Sequence, residues 1–316
     1  MNKKPYLLAA VLAITIGVQA IPTASTYAAG SGSSTQESTG KTSTTSADNS
    51  HSEAIYKAAQ PLLSSSSKLP QAIKYLNSNL YAVTSYRATM MTLQLENLHK
   101  AALGAWENKF SRSDVQRQLA IVYKPQVSMV KLAESVKDPA LRTLLETAGE
   151  SGYKLETAEG TYFPVIDYAA YRKYKVYVTN DISDYLTMMA AESDLPSAKD
   201  NGLVIAWTEV AARALAAEQF TRSYPKSNRI TAAKQLYAKY IASTFYGLNN
   251  TPLFHYDNLE MDLEAQKAYA GLLSAKNPDN SPFLQKLEGF MKLLKENGYL
   301  LDDKVEQYRS KEVPLT

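Results

Sequence analysis

The sequence contains no cysteine. This absence excludes disulfide bridges, thiolate metal sites, a cysteine nucleophile and a lipid-modified cysteine. A chain without crosslinks must be stabilised by the burial of apolar surface, and 316 residues are enough to build a large core. We therefore predict a cysteine-free fold that is held together by packing alone.

Long apolar runs are also scarce, and the longest stands near the start. It extends from Tyr6 to Val18, follows Lys3 and Lys4, and is followed by small residues around Ala28. As a helix this run would cover about 20 Å, against about 30 Å for the hydrocarbon core of a bilayer. The pattern is typical of an export signal. We predict a signal peptide over residues 1–28, with an uncleaved signal anchor as the alternative.

This signal predicts a protein that is secreted or associated with the cell envelope. No other stretch approaches the 18 consecutive apolar residues of a membrane span, so we expect no membrane contact after signal cleavage. The net charge of +3 falls to +1 without Lys3 and Lys4, because 34 − 2 = 32 basic residues then oppose 31 acidic ones. Polyanion binding needs clustered basic residues. We therefore expect no nucleic-acid partner.

Standard catalytic and metal-binding motifs are missing as well. The sequence has no GxSxG motif, no Walker loop and no GxGxxG dinucleotide motif. Its three histidines, His51, His99 and His255, are too far apart to form a helical zinc pair. We interpret His99 as a helix-surface residue, and we expect no metal and no cofactor.

The chain divides by composition into a polar segment and a helical body. Residues 30–52 are more than half Ser and Thr and include no large apolar side chain, so we predict a disordered tail over residues 29–52. Residues 53–316 show apolar spacings of three and four, which predict an all-α domain of about nine or ten helices. Two lobes divided near a hairpin are the alternative to one undivided domain.

Two local predictions are specific. The apolar stripe from Pro70 to Phe110 would make a helix of about 60 Å, so we expect a break near Asn77–Asn79 or at Gly104. The stretch Tyr153–Ile166 has β-favouring residues on both sides of Glu159 and Gly160, which predicts one small β-hairpin insertion. An irregular loop is the alternative.

Tyrosine is unusually frequent, with 22 residues against 7 Phe and 2 Trp. Tyr168, Tyr171, Tyr174 and Tyr177 recur every third residue, and on an α-helix such a step would spread the rings around half the surface. Tyrosine has a flat apolar face and a polar tip, which suits the binding of sugars and peptides. We predict a tyrosine-rich binding surface that includes Trp207; rings that seal the edge of the core are the alternative.

Three carboxylates are candidates for catalysis: Asp194, Glu209 and Glu218. Two of them in one cleft could cleave a glycosidic bond, provided their acidities differ. The spacing of four from Glu209 to Arg213, and from Glu218 to Arg222, favours ordinary ion pairs instead.

The favoured function is binding, with cell-wall polymer, peptide or an exported protein as the partner. A carboxylate-dependent envelope hydrolase and a stalked, membrane-anchored scaffold or sensor are the alternatives.

Overall fold

The all-α prediction is confirmed. The computed structural model describes residues 44–315, which contain twelve α-helices and three two-stranded antiparallel sheets. The predicted signal peptide at 1–28, and the part of the predicted tail before residue 44, lie outside the described residues. Within the described range, no helix is both long and apolar enough to cross a membrane.

The helices and strands follow one another as short, closely connected elements. The helices are α1 Thr44–Ala59, α2 Leu69–Asn79, α3 Ser85–Phe110, α4 Ser113–Val122, α5 Met129–Ala133, α6 Pro139–Glu150, α7 Asn180–Asp194, α8 Trp207–Ser223, α9 Ile230–Tyr246, α10 Leu263–Ala275, α11 Pro282–Glu296 and α12 Asp303–Glu312. The strands are β1 Tyr153–Ala158, β2 Thr161–Ile166, β3 Ala198–Lys199, β4 Gly202–Leu203, β5 Gly247–Leu248 and β6 Thr251–Pro252.

The helical body begins earlier than predicted. Helix α1 starts at Thr44, inside the stretch 29–52 that composition assigned to a disordered tail. Ser52 is buried, and its hydroxyl accepts a hydrogen bond from the Thr84 backbone N–H at 3.2 Å. Arg87 donates to the Asn49 carbonyl at 3.2 Å. Polar contacts to the rest of the fold therefore order a segment whose own apolar content is low.

The long apolar stripe is broken near the first of the two expected positions. Helix α2 ends at Asn79, a 3₁₀ turn covers Leu80–Ala82, and the Thr84 side chain caps the start of α3. Gly104 lies inside α3, which continues through it without interruption. A capping side chain, and not the glycine, sets the boundary.

The predicted hairpin is confirmed. Strand β1 pairs with β2 from Tyr153↔Ile166 to Ala158↔Thr161. Glu159 and Gly160 both have positive φ, 49° and 73°, as a two-residue hairpin turn requires.

The expectation of one hairpin insertion was too low, because β3–β4 and β5–β6 form two more. Each of these ladders is only two residues long on each strand, too short to show an alternating pattern in the sequence. The three hairpin tips meet: Asp200 accepts from the Glu159 N–H at 2.9 Å, and the Asn250 N–H donates to the Asn201 carbonyl at 2.9 Å.

The apolar core consists of two clusters. The first is built mainly from α1–α7 and the second from α8–α12. Met188 and Met189, near the end of α7, pack against both clusters. The change from one cluster to the other therefore follows α7, and not the β1–β2 hairpin where the sequence suggested a division.

Candidate functional site

The predicted tyrosine-rich surface is not exposed. Tyr168, Tyr171 and Tyr174 are 6%, 2% and 3% exposed, and Tyr177 is partly buried against the first core cluster. The reason is local: residues Tyr168–Tyr174 form a 3₁₀ helix. With three residues per turn, side chains three apart lie on one stripe instead of drifting around the helix. That stripe packs into the core.

The hydroxyl groups of these tyrosines bond to protein atoms. Tyr168 donates to Glu96 Oε1 at 2.6 Å, and Tyr174 donates to Asn77 Oδ1 at 2.7 Å. The hydroxyl of Tyr171 lies 2.6 Å from His99 Nδ1. None of these three hydroxyls is left free for a ligand.

Glu96 is the centre of a buried polar network. Besides Tyr168, it accepts hydrogen bonds from Tyr185 at 2.5 Å, Lys100 at 2.6 Å and Arg229 at 2.6 Å. Burial alone raises the pKa of Glu96, but the charges of Lys100 and Arg229 outweigh burial and lower this pKa to about 2. Glu96 is therefore a fixed anion that ties α3 to α7 and to the loop before α9.

His99 is buried, and its prediction as a helix-surface residue was wrong. Its Nε2 lies 2.7 Å from the Ser151 carbonyl, so Nε2 carries the proton and Nδ1 accepts from Tyr171. Burial lowers the pKa of His99 to about 4, against the opposing effects of the Ser151 hydrogen bond and the Glu96 charge. His99 is thus a neutral core residue at physiological pH.

Two of the three candidate carboxylates form ion pairs. Asp194 pairs with Arg172 on the surface, and Glu209 accepts from Arg213 at 2.8 Å. Arg213 also donates to Glu192, at 2.9 Å.

Glu192 itself is poorly suited to donate a proton. Burial raises the pKa of Glu192, but Lys239 and Tyr240 bond to its carboxylate and bring this pKa below its usual range. A glycosidase-type mechanism needs one acid whose pKa is raised. The geometry of these acids is that of ion-pair partners.

Trp207 and Glu218 have structural contacts on α8. Trp207 is buried at the first position of this helix and meets Tyr269 edge-on, with 6.2 Å between ring centroids. Glu218 is also buried, and its carboxylate accepts from the Ser281 hydroxyl and, at 2.6 Å, from the Phe283 N–H. Glu218 therefore satisfies one of the N-terminal N–H groups of α11, that of Phe283.

Beside Glu218 lies a groove of about 560 Å³ between α8 and the connection from α10 to α11. This volume lies within the range of small-ligand sites, about 300–1,000 Å³. We call it the α8–α11 groove; its lining is Leu215, Glu218, Gln219, Arg222, Ser223, Lys276, Asn277, Asn280, Ser281 and Leu284. Of the residues predicted as sites, Glu218 is the one that lines it.

The α8–α11 groove combines positive charge with amide groups. Arg222 donates to the Asn280 carbonyl and thereby spans the groove, and Lys276 is exposed. Gln219, Asn277 and Asn280 supply side-chain amides, and Leu215 and Leu284 supply the apolar part. The single carboxylate of the lining, Glu218, is already bonded to α11. The groove can therefore offer cations and amide donors to an acidic ligand.

A second groove, of about 290 Å³, lies between α4 and α6. Arg112 and Asp114 in its lining pair with each other at 2.9 Å, and Asp138 caps α6 by accepting from the Leu141 N–H at 2.7 Å. The remaining charge of the lining, Lys109, lies over the Trp106 ring, 4.3 Å from its centroid. These charges already have partners, so we base no function on this groove.

Sequence reasoning missed the buried network around Glu96. A signal was present, because Thr89, Thr92, Glu96 and His99 follow one another at spacings of three and four and so share one face of α3. Polar residues at helical spacing within an apolar helix indicate a polar contact in the core. Among residues 44–315, no three His, Asp or Glu side chains cluster closely enough to hold a metal ion.

No family model, no curated protein and no solved structure matches this chain.

Proposed function

We propose that the protein is a secreted or envelope-associated binding protein that holds a short acidic peptide, free or as part of a wall polymer, in the α8–α11 groove. The observation that carries this proposal is the lining of the groove: two cationic side chains and three amides face a single carboxylate that α11 already uses. The α8–α11 groove replaces the predicted tyrosine-rich surface as the proposed binding site, because the rings of that surface are buried.

The chemistry of the groove favours a peptide with a free carboxylate. An arginine binds a carboxylate through two parallel hydrogen bonds, and a lysine adds a second positive charge. Side-chain amides can pair with both the N–H and the C=O of a peptide backbone. The leucines of the lining would contact the apolar part of a ligand side chain.

Isothermal titration calorimetry tests the groove with one short synthetic peptide in two forms, a free carboxylate and its amide. We expect the carboxylate form to bind and the amide to bind at least about tenfold more weakly, since a charge-assisted hydrogen bond contributes about 1.5–3 kcal/mol. The double variant Arg222→Gln/Lys276→Gln is expected to lose the preference. Lys131→Gln/Lys137→Gln removes two exposed lysines elsewhere and should keep it. Equal binding of both peptide forms would contradict the proposal.

The proposed location rests on the segment at residues 1–28, where two lysines precede a short apolar run. Mass spectrometry of the natural protein tests it by reading the N-terminus. A mature chain that begins near Ala29 supports export with cleavage. A chain that keeps Met1 or Asn2 would contradict cleavage and would favour the stalked scaffold or sensor instead.

A further inference from the structure

Three exposed leucines lie close in the chain to residues of the second core cluster, and none of them lines the α8–α11 groove. Leu259, Leu263 and Leu300 are 47%, 66% and 42% exposed. Leu259 and Leu300 lie on paired segments, in which the Leu301 N–H donates to the Leu259 carbonyl at 2.8 Å. Leu263 begins α10, three residues after Glu260, which bridges to Leu300. We call these three residues the leucine patch.

The backbone of the leucine patch is held in a defined conformation. Leu259 has φ of 61° and Tyr299 has φ of 64°, both in the left-handed region that favours glycine. On each side of the Glu260↔Leu300 bridge a backbone hydrogen bond closes the pairing; the second runs from the Met261 N–H to the Tyr299 carbonyl, at 2.9 Å. A partner would therefore bind to a segment whose backbone is already ordered, which lowers the entropy cost of binding.

Acidic residues neighbour the leucine patch along both paired segments. Asp257, Glu260, Asp302 and Asp303 are exposed, and none of them forms an ion pair with another described residue. We call these four residues the acidic rim. The Val305 N–H bonds to Asp302 and lowers the pKa of its carboxyl group, which keeps this side chain ionised at neutral pH.

The acidic rim decides which kind of partner fits. A second copy in a symmetric contact would place the same acidic rim opposite itself, and like charges across an interface oppose binding. A basic partner has the opposite effect, because its charges attract the rim while its apolar side chains cover the leucines.

We propose that the leucine patch docks a basic amphipathic segment of another protein. Its apolar side chains lie on Leu259, Leu263 and Leu300, and its lysines or arginines face the acidic rim. This mode is that of an amphipathic helix on an apolar surface. The surface is separate from the α8–α11 groove, so the inference does not depend on the proposed function.

The probe is a synthetic amphipathic helix made of leucine and lysine, compared with one in which glutamate replaces every lysine. Binding to the full chain is measured by calorimetry, and the contact is located by hydrogen exchange. We expect the lysine probe to bind at least about tenfold more tightly than the glutamate probe. We also expect it to slow exchange in residues 255–263 and 299–303.

Matched variants distinguish binding at the leucine patch from nonspecific binding to other exposed apolar side chains. Leu263→Ser/Leu300→Ser is expected to weaken the lysine probe at least about tenfold, since each leucine loses apolar contact area. Ile121→Ser/Val176→Ser removes two other exposed apolar side chains and should leave binding unchanged. Both pairs lie on the surface, so circular dichroism should show an unchanged fold.

Four results would overturn the inference. Equal affinity for both probes would remove the role of the acidic rim. Equal weakening in the two double variants, or protection outside residues 255–263 and 299–303, would remove the role of the leucine patch. A concentration-dependent dimer that Leu263→Ser/Leu300→Ser abolishes would show that a second copy covers this surface.

Discussion

Acid should destabilise this protein in a pH window that His99 sets. The histidine is 1% exposed, and burial lowers its pKa from 6.5 to about 4 in the folded state. Between these two values the unfolded chain binds a proton that the folded chain does not, so stability falls as the pH falls. Above pH 6.5 the full stability is present. A shift of about 2.5 units corresponds to a loss of roughly 3 kcal/mol on going to pH 4.

Urea unfolding, followed by circular dichroism at several pH values from 7.5 to about 4, measures this loss. In His99→Gln the free energy of unfolding should be lower at pH 7.5, because hydrogen bonds to Tyr171 and Ser151 are disturbed. Its decline toward pH 4 should be smaller than that of the natural protein by about 3 kcal/mol. His255→Gln, at an exposed position, should keep the natural decline. An equal decline in His99→Gln, or an NMR titration of His99 centred near pH 6.5, would refute the reasoning.

The same urea series at pH 7.5 checks three further predictions. Glu96→Gln leaves Arg229 without its buried counter-charge and should lower the free energy of unfolding by about 3–5 kcal/mol. Glu209→Gln breaks a half-exposed ion pair and should lower it by less than about 1 kcal/mol. Equal losses in the two variants would contradict the argument that burial makes the Glu96 pair more important. Gly247→Ala should cost about 3 kcal/mol or more, because φ is 71° and the new Cβ would lie 2.4 Å from a backbone nitrogen. Gly104→Ala, in an exposed turn of α3 with no atom within 4 Å of the new Cβ, should instead stabilise by about 0.5–1 kcal/mol. A gain at Gly247, or a loss at Gly104, would contradict these backbone arguments.

Helices and the main hairpin could be predicted because their signals are local. The apolar spacing of three and four predicted an all-α body and the stripe that forms α2 and α3. Glu159 and Gly160 marked the hairpin turn, since positive φ at both positions favours such residues. Each signal lies within a few residues of the feature that it predicts.

The candidate site could be predicted only in part because its contacts are long-range. Glu218 was identified as a notable acid, but its role depends on Ser281 and Phe283, more than 60 residues away in the chain. The tyrosine run was also recognised, yet its rings are buried because the backbone there is 3₁₀ and faces the core. Helical spacing does not distinguish a 3₁₀ turn packed on a core from an exposed α-helix.

The amino-acid sequence by itself determined that this chain has no crosslinks, that it builds amphipathic helices, and that one tight hairpin interrupts them. These properties follow from composition and from the periodicity of apolar residues, which act over one or two turns. Tertiary structure alone decided that His99 and Glu96 are buried together, that Arg222 and Lys276 line one groove, and that three leucines remain exposed. Burial and charge pairing depend on residues that meet only after the helices pack; the polar spacing on α3 indicates a buried polar contact there but does not identify its partners.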